Sequence, residues 1–123
     1  MGFSFPKKER LKRQKLIQLV FSKGKVIRAS SLQLRYVKVQ LPGDIPVQVG
    51  FSVAKRKFKL AVHRNRTKRL MREAYRLNKA VIFNTNTTQY AFMFLYLGNT
   101  LPDFHTLNAD MKTVLEKFKA RES

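Results

Sequence analysis

Carboxylates and histidines are the groups from which a protein builds hydrolytic chemistry, and this chain has few of either. Its first 79 residues hold three acids, Glu9, Asp44 and Glu73, far apart and without an Asp-x-Asp or Glu-x-Lys pattern. A metal-dependent nuclease needs grouped carboxylates, and acid–base hydrolysis needs a paired donor and acceptor. Only two histidines are present: His63 beside Arg64, within reach of a phosphate, and His105, a surface or capping residue near the last helix. The absence of cysteine removes disulfides, thiolate metal sites and cysteine nucleophiles together. These residues assign no catalytic group and no metal site to the protein.

Cations are plentiful instead. Twenty-six Lys and Arg against seven Asp and Glu give a formal charge of +19 over 123 residues, a self-repelling excess unless a polyanion is nearby. Residues 1–79 carry 22 basic and 3 acidic side chains, whereas residues 80–123 carry four of each. A polyanionic partner is therefore expected on the first two thirds of the chain. Residues 55–79 hold eleven basic residues and one acid, Glu73. On a helix, Asn65, Arg69, Arg72, Arg76 and Lys79 recur at steps of four and three, with Lys68 beside them. Most charge runs are solvated faces, but those usually mix signs. Here only Glu73 does so, answering Arg69 or Arg76 within one turn. Arginine outnumbers lysine in the run, which suits two-pronged phosphate contacts. Arg64, Asn65 and Arg66 fall near the helix start, where unpaired backbone N–H groups favour an anion. Asn65 serves there either as a local cap or as a contact to a base edge or phosphate. The stripe reads as a nucleic-acid surface, and charge alone does not choose RNA over DNA.

The elements that must carry this stripe follow from hydrophobic spacing. Residues 1–9 read as a flexible basic arm. Leu16, Ile17, Val20 and Phe21 fall at helical spacing between Arg10 and Lys23, with Gly24 as the stop. Leu32, Leu34 and Tyr36 alternate and then run into Val37 and Val39, the pattern of a strand with a bulge or at an edge. After a turn at Pro42-Gly43-Asp44, Val47, Val49, Phe51 and Val53 alternate with Gln48, Gly50, Ser52 and Ala54. That strand has one apolar face and one of small residues, either open or filled by a neighbouring element. From Val62 to Ile82 the period becomes helical, with Leu70, Met71, Ala74 and Tyr75 in one stripe and Thr67 and Asn78 at its polar ends. Tyr90 to Leu97 is a near-continuous apolar run, as in a strand buried on both faces. Leu107, Met111, Val114, Leu115 and Phe118 line a last helix. The order is helix, strand, strand, helix, strand, helix, with room for one strand to be split in two: one α+β domain over 1–123, with a small mixed sheet and three helices. The longest apolar run is far below the ~20 residues a membrane helix needs, and the chain is expected to be cytoplasmic.

Two segments match a known family. Gly50-Phe51-Ser52-Val53-Ala54-Lys55-Arg56, then Ala61-Val62-His63-Arg64-Asn65-Arg66-Thr67-Lys68-Arg69-Leu70-Met71-Arg72-Glu73-Ala74-Tyr75-Arg76, resemble the signature of the bacterial ribonuclease P protein, strongly over 50–76 and loosely elsewhere. The resemblance implies a βαβ crossover of left-handed sense and a partnership with a catalytic RNA. That RNA would hold the Mg²⁺ and cleave the 5′ leader from precursor tRNA, the protein alone being inactive. It further implies two RNA surfaces. Arg64, Asn65, Arg66, Lys68, Arg69, Arg72 and Arg76, with Lys55 and Arg56, would meet the catalytic RNA. Ile17, Phe21, Arg35, Tyr36 and Ser52 would line a cleft for the leader. No membrane and no obligate protein partner is implied. This chain departs from the family in having Ile17 where an aromatic is common, and Lys57-Phe58-Lys59-Leu60 in place of a shorter Gly-containing loop. A structural ribosomal protein would share the size and charge but not the uninterrupted motif, and a helix-turn-helix DNA binder would not flank its basic helix with strands.

Overall fold

A computed structural model describes residues 6–82 and 88–122. Helix α1 (Gln14–Lys23) is followed by strands β1 (Lys25–Ala29), β2 (Leu32–Lys38) and β3 (Val47–Val53). Then come helix α2 (Ala61–Asn78), strand β4 (Tyr90–Tyr96) and helix α3 (Phe104–Glu122), with single 3₁₀ turns at Lys7–Glu9 and Lys79–Ile82. The four strands form one mixed sheet in the order β1-β2-β4-β3. β4 runs antiparallel to β2 and parallel to β3, so α2 is the crossover between two parallel neighbours.

Strand alternation sorts the side chains into two layers. Tyr90, Phe92, Phe94 and Tyr96 of β4 join Leu32, Leu34 and Tyr36 of β2 and Val47, Val49 and Val53 of β3 against α2 and α3. Met71, Ala74 and Tyr75 of α2 and Leu107, Met111, Val114 and Leu115 of α3 complete this core. The opposite parity, Ala91 and Met93, packs with Leu11 and with Leu16, Ile17 and Val20 around α1. β4 is thus buried on both faces, as its unbroken apolar run predicts.

Three local expectations change. No bulge interrupts β2, an interior strand paired with β4 along its length and with β1 from Leu32 to Tyr36; only its last two residues, Val37 and Lys38, have β4 alone. Val37 and Val39 are apolar because α1 covers that face. The edge is the additional strand β1, which pairs with β2 through a hairpin whose Ser30 takes a left-handed φ of 54°. Lastly, α1 begins at Gln14 rather than Arg10. Arg10 forms a parallel bridge with Val49, and the Leu11 N–H donates to the Val49 carbonyl at 2.9 Å. Leu11 also fills the small-residue face of β3. A Cβ at Gly50 would lie 2.8 Å from Met93 Cε, the end of a flexible side chain that would have to shift, and 3.6 Å from Leu11 Cβ, an ordinary contact.

The C-terminal end of α3 is pinned to the sheet. Tyr36 Oη donates to Glu122 Oε2 at 2.7 Å, Tyr90 Oη reaches Oε1 at 3.4 Å, and Lys25 Nζ lies 3.3 Å from Oε2. Burial, reinforced by Glu122, pushes the Tyr36 phenol up to about 12, and the Tyr36 hydrogen bond holds Glu122 below the ordinary carboxylate value. Phe118 stands edge-on to Tyr36, Tyr90 and Phe92 with centroids 4.8 to 4.9 Å away, the geometry aromatic quadrupoles prefer.

Candidate nucleic-acid interface

Helix α2 presents the basic stripe because its other face is committed to the core. Met71, Ala74 and Tyr75 are fully buried, and Thr67 joins them by returning its hydroxyl to the His63 carbonyl at 2.9 Å. Asn78, at the other end of the apolar stripe, donates to the Ala74 carbonyl and to Asn108 Oδ1, both at 2.8 Å. With that face fixed, Asn65, Arg66, Arg69 and Arg72 stand exposed and Lys68 half-buried. Asn65 to Arg76 spans about 16 Å of helix axis.

The predicted residues divide in their local bonding. Arg66, Lys68, Arg69 and Arg72 make no ion pair among the described residues. Arg76 is paired with Glu73: Arg76 Nε donates to Oε1 at 3.0 Å, Nη2 closes on Oε2, and the contact lowers the Glu73 carboxyl. The sequence left Glu73 between Arg69 and Arg76; it answers Arg76. Arg64 turns back, donating from Nη1 to the carbonyls of Phe58 (2.6 Å) and Lys59 (2.9 Å), so it braces the loop before the helix. Asn65 does not cap the helix, which starts four residues earlier with Leu60 at the N-cap position.

Lys79 leaves the stripe altogether. It is 5% exposed and its ammonium lies 3.0 Å from Glu9 Oε1. Glu9 belongs to the segment read as a basic arm, of which residues 1–5 lie outside the described residues. Lys7–Glu9 is a docked turn, with Gln48 Nε2 donating to the Lys8 carbonyl at 3.1 Å.

Before α2, Lys55 and Arg56 are exposed in the turn that follows β3. The Phe58 ring is buried with its centroid 6.0 Å from that of Tyr96, and Lys57 Nζ donates to the Leu97 carbonyl at 2.6 Å. This loop is therefore anchored at two points.

The proposed cleft residues are only partly brought together. Phe21 is 40% exposed and Arg35 lies over it, its guanidinium carbon 5.7 Å from the ring centroid and Nη1 3.4 Å from the Phe21 carbonyl. Arg35 Nε also donates to Gln33 Oε1 at 3.1 Å, adding a residue that neither charge nor spacing marks. Ile17 is half-buried against the α1-side cluster, and Ser52 is half-exposed on the same face of the sheet. Tyr36 is a correction: it is 1% exposed and faces α3, because its strand parity is opposite to that of Arg35.

Comparison with known proteins adds to this geometry. The family profile Ribonuclease P matches residues 5–119. The ribonuclease P protein component of Porphyromonas gingivalis strain W83 is 36% identical, with 92% of this chain and 85% of the relative covered. That of Chlorobium phaeobacteroides is 33% identical, covering 97% and 90%. Among solved structures, the Staphylococcus aureus RNase P protein superposes with a TM-score of 0.72 at 20% identity, covering 90% of this chain and 95% of that one. The Thermotoga maritima RNase P protein gives 0.71 at 24% identity, covering 89% and 96%.

Proposed function

This chain belongs to the ribonuclease P protein family, and we propose that it docks on the catalytic RNA of that ribonucleoprotein through the exposed stripe of α2. The observation that carries the reading is that stripe: Asn65, Arg66, Arg69 and Arg72, all outward and without an acidic partner among the described residues. Phosphate contacts of this kind supply affinity through counterion release and carry no sequence information of their own. Lys55, Arg56 and Lys68 extend the surface. Arg76 closes the stripe with its Nε and Nη2 held by Glu73, and Arg64 acts through the loop it braces.

The chemistry would belong to the RNA. Among the described residues no three His, Cys, Asp or Glu side chains gather as a metal site, so Mg²⁺ would be held mainly by the RNA partner. The protein would neutralise charge where the RNA, the metal ions and the precursor tRNA meet. Among the described residues no helix is long and apolar enough to cross a membrane, and we place the work in the cytoplasm, where tRNA 5′ ends are processed.

The leader of precursor tRNA would enter beside Phe21. An exposed ring with Arg35 over it offers a base a stacking surface and a cation together. Ile17 and Ser52 would border it. Phe21→Ala is expected to weaken precursor-tRNA binding by the assembled holoenzyme about tenfold, on the stacking scale of 1–3 kcal/mol per base, and to leave mature tRNA binding unchanged. Equal losses for both substrates in a competition titration would assign Phe21 to packing.

A further inference from the structure

Immediately before the basic stripe the chain places apolar side chains in water. Leu60 is 58% exposed and Val62 66%, the two highest values among the large apolar residues described. Single exposed apolar residues are ordinary; two flanking an exposed Ala61 at a helix start are less so. Local folding does not ask for them. Leu60 occupies the N-cap of α2, with φ −81° and ψ 125° and no side-chain cap, where Ser, Thr, Asp or Asn would bond an orphan N–H. A residue that forgoes a cap and exposes a butyl group satisfies neither rule, and such violations concentrate at functional sites.

The surroundings say what would cover them. Val62 precedes Asn65, Arg66 and Arg69 by three, four and seven residues, so it heads the same helix face. Lys55, Arg56 and Lys59 are exposed in the segment just before it. The segment is also held rigidly: Phe58 is buried, and Arg64 ties the carbonyls of Phe58 and Lys59. A second copy of a chain with a formal charge of +19 would be repelled from this end. A partner offering negative charge and flat apolar faces together is a folded RNA with an unstacked base.

We propose that Leu60 and Val62 form an apolar lip that packs on an unpaired base of the partner RNA, beside the phosphates held by the α2 stripe. The lip rests on the docking reading above and adds a contact of different physical character. Burying apolar surface releases no counterions, so it strengthens binding equally at all salt concentrations, whereas an arginine–phosphate contact sets the salt slope.

The test is the pair Leu60→Ser with Val62→Thr, titrated against a bacterial ribonuclease P RNA over a range of salt. Arg69→Ala with Arg72→Ala is run in parallel. For the lip pair, affinity is expected to fall about tenfold at every salt concentration with the slope unchanged. Thermal unfolding should be unchanged or shifted upward, because serine caps the helix. Leu60→Met with Val62→Ile should keep full affinity. Unchanged affinity in the lip pair, with a lowered slope in the arginine pair, would overturn the lip alone. A lowered melting temperature accompanying the loss would mean packing, and a change in sedimentation would mean self-association; either overturns the proposal. If neither pair alters binding, the docking reading fails and the lip with it.

Discussion

Replacing Arg69 and Arg72 together with alanine is expected to weaken binding to a bacterial ribonuclease P RNA roughly tenfold to a hundredfold near physiological salt. The slope of log affinity against log salt should become shallower by about one unit for each lost phosphate contact, so about two in all. Both side chains are exposed and make no ion pair among the described residues. Folding stability should therefore move by less than about 0.5 kcal/mol, as for ordinary surface substitutions. The separation of the two readouts is the point of the measurement. A loss of affinity with an unchanged slope would mean that these arginines do not meet phosphate, and a loss of stability would mean that the fold uses them.

Lys79 is expected to behave in the opposite way. Although it continues the spacing of the stripe, its ammonium is buried against Glu9, with side-chain exposures of 6% and 13%. Removing one partner of a buried pair strands the other charge in a poorly solvated place, and Lys79→Ala should cost about 2–4 kcal/mol of stability. In a domain of this size that lowers the melting temperature by on the order of 10 °C. Glu9→Gln should cost less, because an amide still accepts a hydrogen bond from the ammonium. Glu9→Leu with Lys79→Met should cost less than the sum of the corresponding single changes, since neither charge is then left alone. RNA binding by the folded Lys79→Ala protein should keep its salt slope. A slope reduced as far as by an exposed arginine would return Lys79 to the interface.

Lys79 and Tyr36 show where reading the sequence succeeds and stops. Helical spacing identified the apolar side of α2 through Leu70, Met71, Ala74 and Tyr75, and its opposite side followed from geometry. The eight-residue apolar run from Tyr90 was legible as a strand covered on both faces, because it is short, rich in aromatics and unbroken by polar residues. Lys79 was misplaced because spacing describes one helix in isolation. Its partner Glu9 lies 70 residues away and is brought in by the turn at Lys7–Glu9, which runs beside β3. Arg64 was legible as a cation but not as a brace, since its acceptors are backbone carbonyls, which no sequence marks. Strand β1 escaped notice for a similar reason. Its five residues follow Gly24 directly, and its hairpin turns on Ser30 rather than on the Gly or Asn that usually signals a left-handed turn residue.

Tyr36 was placed in the cleft by family resemblance although its own alternation argued otherwise. Leu32, Leu34 and Tyr36 share a parity, and the face that buries the two leucines buries the tyrosine. Arg35 and Gln33 hold the other parity and stand with Phe21. Local period was the better guide here, because the two-residue repeat of a strand allows no compromise between faces.

The most direct test of the protein's role is reconstitution. The purified chain is added to a bacterial ribonuclease P RNA at a Mg²⁺ concentration too low for the RNA to work alone, with precursor tRNA as substrate. Release of the 5′ leader only when both components are present, and none from the protein alone at any Mg²⁺ concentration, is the result expected of an RNA-docking subunit without catalytic groups. Leader release by the protein alone, or an RNA no more active with the protein than without it, would contradict the account.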